Sequence, residues 1–162
     1  MNPLDYLLES FSIAVRAADP AHIVPQYLPS PPKGRTLVVG AGKAAAAMAL
    51  AVENSWPPDA PLDGLVITRY GHQLPTCRIK VVEAGHPIPD QNGEQASRHM
   101  LSAVKTLGAE DLLLCLLSGG GSSLLALPID GISLHDLQQI THQLLCCGAS
   151  IQEINTARKH LS

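Results

Sequence analysis

Aromatic side chains are scarce: one Phe, one Trp and three Tyr, 3% of 162 residues. Hydrophobic residues still make up 46%, so the core has to be aliphatic, built from Leu, Val, Ile and Ala. No apolar run approaches the ~20 residues a membrane-spanning helix needs. There is no basic excess either. The net charge is −3, which argues against a general nucleic-acid binder. The cysteines, Cys77, Cys115, Cys146 and Cys147, follow neither a disulfide framework nor a zinc spacing, and reduced thiols are expected. No residue set is singled out as a metal site. The opening Met-Asn-Pro-Leu-Asp-Tyr lacks the basic and apolar regions of a secretory signal, and the first residues are not the arginine-rich, acid-poor segment of a transit peptide. A cytoplasmic location is the expectation.

What is present is alternation. Leu4 to Ala18 carries apolar residues at helical spacing and is expected to be a packing helix, and Ala21 to Tyr27 reads as a further helical turn. Prolines 29, 31 and 32 make an extended connector. Short aliphatic strands are expected at 35–39, 64–68 and 78–82. A fourth, ending at Leu117, reads as a buried strand. Helices are expected from the alanine-rich segment to about Glu53, from Asn92 to Leu107, from Ser133 to about Cys147 and from Ile151 to Leu161. Ser133 with Asp136 has the form of a capping box, and Gly148 that of a C-terminal stop. Strands and helices in turn, joined by short connections, predict an α/β fold: a mostly parallel sheet with helices on both faces. The loops after the strands then gather along one edge, where open sheets of this kind bind ligands.

Those loops carry the polar chemistry. The first, Gly40-Ala41-Gly42-Lys43-Ala44-Ala45, fits the dinucleotide fingerprint G-x-G-x-x-A. The acid expected after the next strand is replaced by Arg69, which suits only a 2′-phosphorylated dinucleotide. Lys43 sits at a helix start, against the helix dipole unless an anion lies between them. His72 and His86 each follow a glycine just past a strand. Asp90 reads as a helix N-cap before any other role. Ser118-Gly119-Gly120-Gly121-Ser122-Ser123 is either a flexible turn or a nest of N–H donors for an anion, its glycines free to take positive φ. The whole set is cationic and donor-rich and suits an anionic substrate, phosphates, or both. On the last helix, Asn155, Arg158, Lys159 and His160 form a polar stripe.

Five stretches carry a resemblance: V-V-G-A-G-K-A-A (38–45), T-R-Y-G-H (68–72), E-A-G-H-P-I-P-D (83–90), S-G-G-G-S-S-L-L (118–125) and N-T-A-R-K-H-L-S (155–162). In this order they resemble the N-terminal part of the glycerate 2-kinase family, also known as hydroxypyruvate reductases. The resemblance implies a Rossmann-like domain over 1–162, the first of two. It implies ATP- and Mg²⁺-dependent phosphorylation of D-glycerate to 2-phosphoglycerate, with no nucleic-acid or membrane partner. Lys43 is implied as the catalytic lysine. Gly40, Gly42, Lys43, His86, Ser118, Gly119, Gly120, Gly121, Ser122 and Arg158 are implied as substrate- or nucleotide-binding. Family members are longer, so the expectation is one half of a cleft: the second domain and the general base are missing from the 162 residues, which are expected to have little activity alone. Two other readings stay open: an NAD(P)-binding reductase domain, and a truncated, non-catalytic α/β domain.

Overall fold

Each strand reads as an aliphatic run flanked by turn residues, and the computed structural model, which describes residues 2–162, joins four of them into one sheet. They are β1 (Thr36–Ala41), β2 (Leu62–Arg69), β3 (Ile79–Ala84) and β4 (Leu112–Leu117), in the order β3-β2-β1-β4 with every pairing parallel. The helices are α1 (Pro3–Ala17), α2 (Pro20–Ile23), α3 (Ala45–Ser55), α4 (Gln91–Val104), α5 (Gly121–Leu124), α6 (Leu134–Cys146) and α7 (Ile151–Leu161). Sheet and helices bear out the expected α/β fold. The strand order reverses between β1 and β4: the chain moves outward from β1 to β2 and β3, then returns to the other side of β1. That reversal opens a crevice between the loops following the two strands.

Strand geometry sends successive side chains to opposite faces. Val38, Val66, Ile79 and Leu116 therefore pack on one side with Ala45, Ala49 and Val52 of α3, and with Val24 and Trp56. Leu37, Val39, Ala41, Ile67 and Ala84 pack on the other with Ala96 and Met100 of α4, and with Leu124 of α5. The alanines of α3 are small enough for the helix axis to lie close on the sheet, which compensates for the shortage of large aromatic fillers. β1, flanked by strands and covered on both faces, is buried along its whole length.

Two expectations change. β4 reads as a buried strand, but it is an edge strand: only Leu116 is buried, and Leu117 is 66% exposed. Among the described residues, nothing pairs with its outer edge. α1 has the expected apolar stripe and a capping box between Asn2 and Asp5, yet none of its residues is buried. It touches α2 and leaves the sheet layers uncovered by it. Here periodicity identifies the helix without identifying a partner.

α6 and α7 form a helical hairpin over the strand-end loops. Their N-caps are the capping boxes Ser133–Asp136 and Ser150–Glu153, and Gly148 takes φ +71° at the turn between them. Gln138 donates to the carbonyl of Pro89 at 2.8 Å, and Arg158 donates to the carbonyl of Pro87 at 3.0 Å. The hairpin is thus held on the β3–α4 loop.

At the opposite end of the sheet, one carboxylate sets where β3 begins. Glu53, near the end of α3, accepts the backbone N–H groups of Cys77, Arg78 and Ile79 at 2.8, 2.6 and 2.5 Å. Arg78 in turn donates to the carbonyls of Glu53 and Trp56 at 3.2 and 3.3 Å, which satisfies acceptors that a helix C-terminus leaves open. Replacing Glu53 by Ala strands those three donors. The expected cost is about 2 kcal/mol of unfolding free energy, measured by urea denaturation.

Candidate functional site

The cleft begins with two loops tied to each other. β1 runs into Gly42 and Lys43, β4 into Ser118 and Gly119. The N–H of Ser118 donates to the carbonyl of Ala41 at 3.1 Å, and the N–H of Lys43 donates to the carbonyl of Gly119 at 3.0 Å. The Ser118 hydroxyl accepts the N–H of Ala44, the N-cap residue of α3, at 3.0 Å. Such close approach explains the glycines. A side chain on Gly40 would run into the backbone of Leu116. One on Gly42, whose φ is +140°, would meet Ser118.

This pinning redefines the first loop. In a dinucleotide fold its N–H groups face a pyrophosphate. Here the N–H of Gly42 is taken by the carbonyl of Ile67, that of Lys43 by Gly119 and that of Ala44 by Ser118. Gly40 lies inside β1, buried and away from the cleft. Gly40 and Gly42 therefore act here through close packing; their placement points away from ligand contact.

The free donors are on the second loop. Among the described residues, the N–H groups of Gly119 and Gly120 find no acceptor. Gly120 takes φ +86°. A methyl group on it would lie 2.5 Å from His86 Nε2 and 3.5 Å from Lys43 Cε. Gly120, His86 and the Lys43 side chain thus meet in one place. Gly121 opens α5 with its Cα against the carbonyl of Ala41. Ser122 lines a small recess with Pro89, Ser123 and Arg158. The buried Ser123, whose hydroxyl donates to the carbonyl of Gly120 at 3.0 Å, supports the loop from beneath. Its burial is a tertiary property, invisible in a run of serines.

The electrostatics of the cleft have one sign. The His86 imidazole is held below its ordinary 6.5 first by burial, then by the positive charges of Lys43, Arg158 and Arg69. Burial also lowers Arg158. Among the described residues, none of the three cations has a carboxylate within 4 Å, whereas Lys33, Arg35 and Arg98 each have one. In a chain of net charge −3, cations without carboxylate partners come together around His86 and leave a positive local field there. The nearby carboxylates are engaged elsewhere. Asp90 caps α4 through the N–H of Gly93 at 3.0 Å and accepts the Tyr70 hydroxyl at 2.7 Å, the main reason the tyrosine's own pKa is raised. Among the described residues, no group of three or more His, Cys, Asp or Glu side chains is placed to hold a metal ion. The cations and N–H donors present are of the chemistry that suits phosphate oxygens.

The same motifs point to known proteins. Residues 6–162 match the family model described as "Domain of unknown function (DUF4147)". The chain belongs to this family. The DUF4147 chain is 43% identical to a D-glycerate 2-kinase of Thermotoga maritima over 156 residues, 96% of its own length and 37% of that protein's. It is 51% identical over 152 residues to a protein of Agrobacterium vitis provisionally named hydroxypyruvate reductase, covering 94% of itself and 34% of that protein. A crystal structure of glycerate kinase from Thermotoga maritima superposes with a TM-score of 0.80 at 40% identity, over 96% of this chain and 38% of that one. The resemblance to glycerate 2-kinases carried by the five motifs is borne out. The DUF4147 chain spans about a third of the length of these relatives. Among its described residues, no helix is long and apolar enough to cross a membrane.

Two measurements follow from the cationic cleft. Saturating inorganic phosphate should raise the His86 pKa, since an anion offsets the charges that depress it; an NMR titration reads this directly. His86 also ties stability to pH. Its folded pKa lies below the unfolded one, so the unfolded chain takes up the proton first, and stability falls as pH drops below about 6.5. His86→Gln should lose less stability than wild type between about pH 8 and about pH 5.5, by thermal or urea unfolding.

Proposed function

We propose that residues 1–162 form one Rossmann-like domain supplying one wall of the active-site cleft of a glycerate kinase, which transfers the γ-phosphoryl group of ATP to D-glycerate. The observation that carries this reading is the convergence of Lys43, His86 and Arg158 on a loop with free Gly119 and Gly120 N–H groups, at the switch point between β1 and β4. Phosphoryl transfer depends on positioning and charge compensation more than on covalent chemistry by the protein. Lys43 and the glycine N–H groups are suited to offset charge on the phosphoryl oxygens, with most effect where charge grows in the transition state. Arg158 and Ser122 border the same space. Mg²⁺ would arrive with the phosphates of the nucleotide, and among the described residues no group of three or more His, Cys, Asp or Glu side chains is placed to hold it alone. The substrate is a small hydroxy acid, and neither nucleic acid nor membrane belongs to the reading. The general base and the facing wall are assigned to segments outside residues 1–162, and the location to the cytoplasm.

The reductase reading is disfavoured by one feature. The N–H groups that a dinucleotide pyrophosphate would use at Gly42, Lys43 and Ala44 are already bonded within the protein.

The test is ATP-dependent formation of 2-phosphoglycerate from D-glycerate by the full-length protein. Lys43→Ala should lower kcat/KM by about 10²- to 10³-fold with the fold retained by circular dichroism. Wild-type kinetics in that variant would remove Lys43 from the mechanism. NADPH-dependent reduction of hydroxypyruvate without phosphoryl transfer would replace the kinase by the reductase.

A further inference from the structure

The T-R-Y-G-H stretch, residues 68–72, makes a contact that the phosphoryl site does not use. Arg69 ends β2, level with Ala84 of β3 in the strand register. Its Nε donates to Nε2 of His72 at 2.7 Å. The Arg69 N–H can only donate, so His72 Nε2 is the acceptor in this contact. Gly71, at φ +78°, turns the chain back, and the His72 N–H donates to the Arg69 carbonyl at 3.2 Å. The N–H groups of His72 and Gln73 also donate to Glu83 Oε1 at 3.0 and 3.1 Å. The turn that carries His72 is therefore anchored on β3, and His72 holds one edge of the guanidinium.

The other edge is open. Among the described residues, Arg69 Nη1 and Nη2 have no carboxylate within 4 Å. Arg69 ends β2 at the same edge of the parallel sheet as the loops after β1 and β4, and its charge reaches His86. A guanidinium fixed by Nε presents its two remaining nitrogens as a planar fork, which matches both oxygens of a carboxylate. Lys43 is a point charge, and the Gly119 and Gly120 N–H groups come from the loop after β4, whereas Arg69 comes from the end of β2. The cleft thus offers a planar fork beside point-charge and N–H donors, two kinds of group for a hydroxy acid whose carboxylate and phosphorylated 2-hydroxyl sit on adjacent carbons.

We propose that Arg69 binds the carboxylate of the hydroxy-acid substrate, with His72 as the positioning residue that orients its guanidinium. This rests on the kinase reading. The rival is an arginine that binds the 2′-phosphate of a dinucleotide from the same place in the fold, which the occupied N–H groups of the first loop oppose.

The experiment compares D-glycerate with its neutral amide as phosphoryl acceptors in the full-length protein. Arg69→Gln should raise KM for the acid on the order of 10- to 100-fold, with a smaller change in kcat, and leave KM for the amide near the wild-type value. His72→Leu should move KM for the acid the same way by less, and His72→Gln, whose amide oxygen can accept from Nε, should restore it. Arg69→Lys retains the charge and loses the fork, and should fall between wild type and Arg69→Gln. An unchanged KM for the acid in Arg69→Gln, or an equal loss for acid and amide, overturns the proposal while leaving the kinase standing. NADPH binding in a calorimeter that is lost in Arg69→Gln overturns it in favour of the dinucleotide. No phosphoryl transfer to glycerate by wild type overturns the kinase reading, and this proposal with it.

Discussion

The hydrogen bond from the Ala44 N–H to the Ser118 hydroxyl, with its two backbone companions between the same loops, is the contact on which the cleft depends. It fixes the start of α3 against the end of β4. It takes up the donors a dinucleotide would need, and among the described residues leaves Gly119 and Gly120, whose N–H groups have no acceptor, beside Lys43 and His86. The bond forms only because Gly40 and Gly42 let β1 and its loop approach β4 without a Cβ between them. Two glycines that fit a nucleotide fingerprint therefore serve close packing, and the N–H groups left without acceptors are on the other loop.

A second constraint is the sign of the charge in the cleft. Lys43, Arg69 and Arg158 come from three separate elements, and all act on His86. Bringing like charges together without carboxylate partners costs free energy in the unliganded protein. An anion offsets that cost on binding, so the repulsion helps to make the site selective for anions. Arg158 has a double part: its guanidinium lies in the cleft and also donates to the Pro87 carbonyl, which ties α7 to the loop that carries His86.

The covering of the sheet explains the two structural surprises. β4 and α1 are both strongly apolar in sequence, yet both expose much of that surface. A strand is buried only if something lies beside it and over it. Among the described residues β4 pairs only with β1, and α1 packs chiefly on the short α2 with none of its residues buried.

The chain's own pattern determines the secondary structure, the parallel sheet and the helices on both faces, because aliphatic runs, capping residues and turn glycines act over a few neighbouring residues. Ser133 with Asp136, Gly148 and Asp90 perform the capping and stopping roles their local sequence implies. The gathering of Lys43, His86 and the triple glycine at one edge is also legible, since parallel strands send their following loops the same way; Arg158 lies on α7 and reaches that edge by tertiary packing. Which N–H groups are free, which glycines only pack, that Ser123 supports the loop and that Arg69 is steered by His72 were decided by tertiary structure alone. Those properties depend on what a group meets in the folded chain at distances of about 3 Å: Ala44 meets Ser118 across 74 positions, and even the near neighbours Arg69 and His72, and Gly120 and Ser123, meet where a glycine at positive φ turns the chain back.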